Sequence, residues 1–320
     1  MSLSVGIVGL PNVGKSTLFN ALATRRLAET APRPFTTIEP HEAVVSVLDT
    51  DLEALGKLIQ PEKTVPATVT FIDIAGLVAG AHKGEGLGNQ FLAKIREVDA
   101  VVHVVRAFYD LQVVQQNEKY ETGSLEQIYD DIETVNIELE LGQITDKRTL
   151  IVLNVGEEDI NSVDTNEKIV AVTEKFKTDV LAISAKIEED LIDFSEEERR
   201  EYLVQIGVSE TGLEKLIKRA YLMLDLITFY TIKGGAEVHA WSLKRGSSAI
   251  ESAEKVHTDF AKGFIKAEVI LVSQLLELGG QLGEGHHDVW TLAKEKGLVK
   301  LEGRDYIVQD KDVIEFKVGS

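Results

Sequence analysis

Gly9-Leu10-Pro11-Asn12-Val13-Gly14-Lys15-Ser16 carries the pattern G-x-x-x-x-G-K-[ST]. These residue types suit one task, the holding of a triphosphate. Small residues let backbone N–H groups curl round phosphate oxygens, and a helix that follows points its positive end at the same anions. Gly9, Asn12, Val13, Gly14 and Thr17 are candidate nucleotide contacts on this ground. Lys15 should reach the β- and γ-phosphates, and the Ser16 hydroxyl should ligate Mg²⁺. Downstream, Asp73-Ile74-Ala75-Gly76 closes an apolar run. A carboxylate there can hold Mg²⁺ through water, and the Gly76 N–H can meet a γ-phosphate. Between the two motifs lies Phe35-Thr36-Thr37-Ile38-Glu39-Pro40. A threonine in this interval completes the Mg²⁺ shell of switch proteins. Spacing alone allows Thr36 or Thr37.

Two further segments bear on the base. Switch proteins specific for GTP end a strand in N-K-x-D, whose Asp accepts the two guanine N–H donors. Here the segment reads Asn154-Val155-Gly156-Glu157, without the Lys and with an acid one methylene longer. Adenine offers an N6 amino group beside N7, and an Asn amide can pair with both. Asn154 and Glu157 therefore predict relaxed or adenine-leaning specificity. Ser184-Ala185-Lys186 ends the next apolar run and matches the loop that lays its backbone against the base in this fold class.

The elements that must position these residues follow from periodicity. Leu3–Val8, Ala43–Leu48, Thr68–Ile74, Ala100–Val105, Thr149–Asn154 and Val180–Ser184 are short, apolar and rich in β-branched residues, as buried strands are. Helical spacing marks Thr17–Leu22, Asn89–Val98 and Gly212–Asp225. Strands apolar on both faces and alternating with helices predict an α/β fold, a parallel sheet covered on both sides. His103 lies inside one such strand and reads as a core or edge histidine. The acidic stretch 186–201 reads as a solvated helix or loop. After residue 225 the texture changes. Leu226–Ile232 and Glu237–Leu243 alternate apolar and polar residues around Gly234-Gly235, a hairpin signal, and a helix over about 247–257 follows. The boundary predicted between the two domains, 1–225 and 226–320, rests on that change.

Composition restricts the partners. With 34 Lys+Arg against 53 Asp+Glu the net charge is −19, which argues against DNA or RNA held by bulk attraction. Residues 226–320 hold 12 basic against 14 acidic side chains, so any RNA-facing surface is sought there, with Trp241, Lys244, Arg245 and Lys262 as candidates. The absence of Cys excludes disulfides, thiolate zinc sites and a cysteine nucleophile, and fits a cytoplasmic protein. No apolar run is long enough to span a membrane, and no basic segment precedes an apolar one as in a signal peptide.

Taken together, Gly9–Ser16, Pro34–Pro40 (PFTTIEP), Asp73–Gly76, Lys83–Val98 (KGEGLGNQFLAKIREV), Asn154–Glu157, Ser184–Lys186 and His257–Val269 (HTDFAKGFIKAEV) resemble the YchF/Obg-like ATPases. The resemblance covers residues 1 to about 105 and about 149 to 318. It implies a P-loop NTPase domain followed by a TGS-like β-grasp module. It also implies a Mg²⁺-dependent hydrolase that prefers ATP to GTP and binds ribosomes. In family terms Thr37 is the switch threonine, and Leu77 stands where many switch GTPases keep a water-positioning glutamine. The family's helical hairpin is shortened here to about 109–148, with Ile132–Leu139 resembling the start of its first arm. Gln112 falls where many members carry a histidine, and it is a candidate for orienting water. Lys15, Thr37 and Gln112 are thus the catalytic candidates, and Ser16, Thr37 and Asp73 the metal ligands. The alternatives are a GTP-preferring GTPase, or a nucleotide-gated binding module with vestigial hydrolysis.

Overall fold

A computed structural model describes residues 3–29, 41–74, 87–110, 119–234, 236–280 and 289–319. The chain begins with β1 (Ser4–Val8), buried along its whole length, then α1 (Lys15–Glu29), β2 (Glu42–Ser46), α2 (Thr50–Ile59), β3 (Lys63–Val65) and β4 (Thr68–Asp73). There follow α3 (Leu87–Glu97), β5 (Ala100–Arg106), α4 (Leu125–Leu141), β6 (Arg148–Asn154), α5 (Val163–Phe176), β7 (Asp179–Ile183) and α6 (Ala185–Asp190). A 3₁₀ turn over Leu191–Asp193 leads into α7 (Glu196–Gln205) and α8 (Gly212–Met223). The remainder is β8 (Leu226–Lys233), β9 (Glu237–Lys244), α9 (Ala249–Val256), α10 (Thr258–Lys262), β10 (Phe264–Leu271), α11 (Val272–Gly280), α12 (Val289–Glu295), β11 (Lys300–Glu302) and β12 (Asp312–Val318).

Two units result. The first comprises residues up to Val45 and Val69–Leu224. Its sheet runs β2-β4-β1-β5-β6-β7, with β4, β1, β5, β6 and β7 mutually parallel. β1 and β5 are buried at every position, which explains their unbroken apolar sequence. Helix α4 covers this sheet with Ile128, Ile132, Val135 and Leu139, all buried. The segment Ile132–Leu139 is part of this crossover helix packed on the core, started by the Ser124 cap and ended at Gly142. The acidic stretch forms α6, the 3₁₀ turn and the start of α7, whose N-terminus closes in a Ser195–Glu198 capping box.

The second unit comprises Ser46–Thr68 and Asp225–Ser320. The division departs from the linear one at residue 225, because α2 and β3 join the C-terminal elements. Its sheet runs β11-β10-β12-β8-β9-β3. The β8–β9 and β10–β12 pairs are antiparallel, while β12 lies parallel to β8 at the centre, the β-grasp arrangement. Helix α9 buries Ala249 and Ala253 against Phe229, Phe264 and Ile314 on one face. β3 adds a parallel edge strand to β9. α2 buries Leu52, Leu55, Leu58 and Ile59, and α11 approaches so closely that a Cβ on Gly279 would lie 2.4 Å from Leu58. Asp49 caps α2 by accepting from the N–H groups of Asp51 and Leu52, and its other oxygen accepts the hydroxyl of buried Tyr230 at 2.8 Å. Lys311 pairs with Asp51 at 2.6 Å. Among the described residues no helix is long and apolar enough to cross a membrane.

Candidate functional site

The motifs converge at the C-terminal ends of the parallel strands of the first unit, where sheets of this order bind ligands. Gly9 and Gly14 bracket the loop after β1, and both have positive φ, +151° and +95°. A Cβ on Gly9 would meet the Val104 carbonyl oxygen at 2.3 Å, and one on Gly14 would meet Asn154 Nδ2 at 2.1 Å. Only glycine fits either position without displacing a neighbour. Asn12 is left-handed at φ 63°. Val13 is buried and anchors the loop to the core. The Leu18 N–H bonds to the Gly14 carbonyl at 3.0 Å, so α1 starts directly from the loop, with Ser16 and Thr17 in its first turn.

Lys15 is 8 % exposed and its Nζ donates to the Leu10 carbonyl at 2.6 Å. Burial pushes its pKa down to about 8, and the charge of Asp73 pulls partly the other way. Asp73 ends β4 beside Ile7 of β1, and its N–H bonds to the His41 carbonyl at 2.9 Å. A hydroxyl at Ser16 and a carboxylate at Asp73 are hard oxygen donors of the kind Mg²⁺ takes, with phosphate and water completing the shell. His103 is a core residue, 1 % exposed, and its Nε2 meets no hydrogen-bond partner among the described residues. Burial, with a smaller effect from Lys15, holds it neutral with a pKa near about 3.

Asn154 occupies the centre of the site in an unexpected role. Its Nδ2 donates to the Val13 carbonyl and its Oδ1 accepts the Ala185 N–H, both at 2.9 Å. The amide thus ties the phosphate loop to the Ser184-Ala185-Lys186 loop. Each amide atom keeps a second hydrogen-bonding position, one N–H on Nδ2 and one lone pair on Oδ1, so this bracing leaves the amide able to meet a base as well. Ser184 is buried and caps α6 by accepting from the Ile187 N–H. Glu157 is exposed at the rim.

A cavity of about 620 Å³ joins these parts. Asn12, Gly14, Lys15, Ser16 and Thr17 line one end; Asn154–Glu157 and Ser184–Lys186 line the other. Phe108, Tyr109 and Asp110, which belong to no sequence motif, form a further wall. The available signal was Arg106, a charge closing an otherwise apolar strand, which places a polar anchor beside the strand end bearing Asn154. Thr36, Thr37, Gly76, Leu77 and Gln112 lie outside the described residues.

Comparison with known proteins agrees with this geometry. The family described as "50S ribosome-binding GTPase" matches residues 4–155. The YchF-GTPase C-terminal family, described as "Protein of unknown function (DUF933)", matches 226–319. The "Ribosome-binding ATPase YchF" of Bacillus subtilis is 39 % identical over 380 aligned positions, covering 99 % of this chain and 99 % of that protein. The chain belongs to the YchF family. A YchF protein of the same description from Mycoplasma genitalium is also 39 % identical, covering 98 % of this chain and 99 % of its own length. The structure of the Schizosaccharomyces pombe YchF GTPase superposes with a TM-score of 0.80 at 26 % identity, covering 99 % and 98 % of the two chains. An alignment of 380 positions against 320 residues means that the Bacillus YchF carries sequence this chain lacks. Between β5 and β6 the described residues of this chain hold one helix, α4.

Proposed function

We propose that this YchF-family P-loop NTPase binds and slowly hydrolyses ATP in preference to GTP, with Mg²⁺, and acts as a ribosome-associated switch in the cytoplasm. The observation that carries the nucleotide reading is the single cavity wall running from Gly14–Thr17 to Asn154–Glu157 and Ser184–Lys186. The triphosphate lies along the loop Gly9–Gly14 and the start of α1. Lys15 exchanges the Leu10 carbonyl for phosphate oxygens, and its charge then opposes the charge that builds during transfer. Ser16, Thr37 and Asp73 hold Mg²⁺, which when bound neutralises and orients the phosphates. Gly76 meets the γ-phosphate and Gln112 orients the attacking water. The Ala185 backbone and the Phe108–Asp110 wall enclose the base.

ATP preference is supported by the N-V-G-E segment, which lacks the short acid and the lysine of GTP readers, and by the names of the relatives. The remaining N–H and lone pair of the Asn154 amide are free in number to meet adenine N7 and N6. Ribosome association is supported by the same names and by the description matched over residues 4–155. Calorimetric titration with MgATP and MgGTP, paired with steady-state phosphate release from wild type and Lys15→Ala, tests the nucleotide reading. ATP should bind the tighter, and release should vanish in the variant. Tenfold tighter GTP, a difference of about 1.4 kcal/mol, would overturn the preference. Equal release from the two proteins would leave a nucleotide-gated binding module in place of an enzyme.

A further inference from the structure

Arg106 is the last residue of β5 and only 5 % exposed, an expensive place for a guanidinium. Its hydrogen bonds show what that position serves. Nε donates to the Phe108 carbonyl at 3.3 Å and Nη2 to the Asp110 carbonyl at 3.2 Å. The guanidinium carbon also lies 4.7 Å from the centre of the Phe108 ring. One side chain therefore grips both ends of the three-residue wall Phe108–Asp110 and packs against its aromatic member. The grip is supported from behind. Gln127 of α4 donates from Nε2 to the Arg106 carbonyl at 3.3 Å and to Asp131, while its Oε1 accepts the Gly123 N–H at 2.8 Å. Burial pulls the guanidinium pKa below its ordinary value, and the charges of Asp110 and Asp131 act against that. On the other flank the Ala107 N–H bonds to the Asn154 carbonyl at 2.8 Å, which registers the wall against the loop that carries Glu157. Tyr109, at the middle of the wall, is 70 % exposed.

We infer that Arg106 is a positioning residue for the base half of the nucleotide cavity, holding Phe108–Asp110 in the shape that receives a purine while leaving the phosphate half untouched. The inference rests on the reading of the cavity as a purine nucleoside triphosphate site. Its physical basis is preorganisation. Two carbonyl bonds and a ring contact set the wall before ligand arrives, so binding does not have to order it. Lysine carries the charge but has no planar fork to reach two carbonyls at once.

The test separates the two halves of the cavity by ligand. Inorganic tripolyphosphate reports on the phosphate half, and ATP on both. Wild type, Arg106→Gln and Arg106→Lys are titrated with MgATP, MgGTP and tripolyphosphate. Both variants should lose at least about tenfold in ATP affinity and show a narrowed ratio between ATP and GTP. Their affinity for tripolyphosphate should stay at the wild-type value, which also shows that the phosphate loop is folded. Should Arg106→Gln fail to fold, Arg106→Lys, which keeps the charge beside Asp110 and Asp131, carries the same comparison. Unchanged ATP affinity in a folded variant overturns the proposal, as does an equal loss for ATP and tripolyphosphate, the mark of a merely structural residue. Failure of wild type to bind either nucleotide would instead overturn the underlying reading of the cavity.

Discussion

Lys15 holds its proton less tightly than an exposed lysine, because burial opposes the charge more than Asp73 supports it. Bound phosphates favour the charged form and raise the pKa again. Between the free value near about 8 and the higher bound value, nucleotide binding must therefore take up a proton. Affinity should be flat below pH 7.5 or so and then weaken as pH rises, approaching about tenfold per pH unit. Calorimetry from pH 7 to 9.5 in buffers of different ionisation heat checks both the slope and the proton uptake. A constant Kd across that range would show that Lys15 does not change its protonation on binding. At this scale the phosphate loop was legible, because its two glycines answer backbone demands visible as a motif. Asn154 was legible in place, but its bracing bonds were not. A sequence shows that an amide stands at a strand end. It does not show that the Val13 carbonyl and the Ala185 N–H have already engaged it. Arg106 escaped for a related reason, since its partners are main-chain carbonyls that carry no side-chain signature.

Among the elements, the strands of the first unit follow the sequence closely, because β-branched runs buried on both faces have few alternatives. Helix α2 and strand β3 do not announce themselves. β3 is three residues long, and α2 owes its position to Tyr230, 181 residues away from its cap Asp49 in sequence. Local periodicity carries no trace of such a partner. The cap predicts an asymmetry between two substitutions. Asp49→Ala removes the acceptor for two N–H groups and strands the hydroxyl of buried Tyr230. It should cost about 2–4 kcal/mol in the unfolding of the second unit. Tyr230→Phe removes only the hydroxyl and leaves the cap in place. It should cost about 0.5–1.5 kcal/mol. Urea denaturation followed by Trp241 and Trp290 fluorescence, both residues of that unit, reads the difference. Equal losses would mean that the cap contributes nothing beyond the tyrosine contact. Helix α4 teaches the opposite lesson. Its apolar stripe of Ile128, Ile132, Val135 and Leu139 is visible in sequence at helical spacing, and it packs on the sheet.

For the molecule as a whole, the charge of −19 frames any encounter with the ribosome. The second unit is not quite the near-neutral segment that residues 226–320 suggest, since Ser46–Thr68 adds four acidic and two basic side chains. Attraction to RNA must come from local arrangements and should fade with salt. Sedimentation with purified ribosomes at rising salt, with ATP, with ADP and without nucleotide, measures this. Pelleting that weakens with salt is expected, and none in every nucleotide state would remove the ribosome from the proposal. The fold class could be read from sequence because alternating buried strands and helices are a repeated signal. The boundary could not be read in full, because the chain leaves the first unit after Val45 and returns at Val69. That excursion has a consequence for the order of synthesis. Residues 46–68 emerge from the ribosome long before β9 and Tyr230, the partners that seat β3 and α2. Until those partners are made, Leu52, Leu55, Leu58 and Ile59 cannot reach the burial they have in the folded unit. The nascent chain therefore carries an undocked amphipathic segment between two strands of its nucleotide sheet until its C-terminal residues arrive, and transiently exposed apolar side chains of that kind favour aggregation.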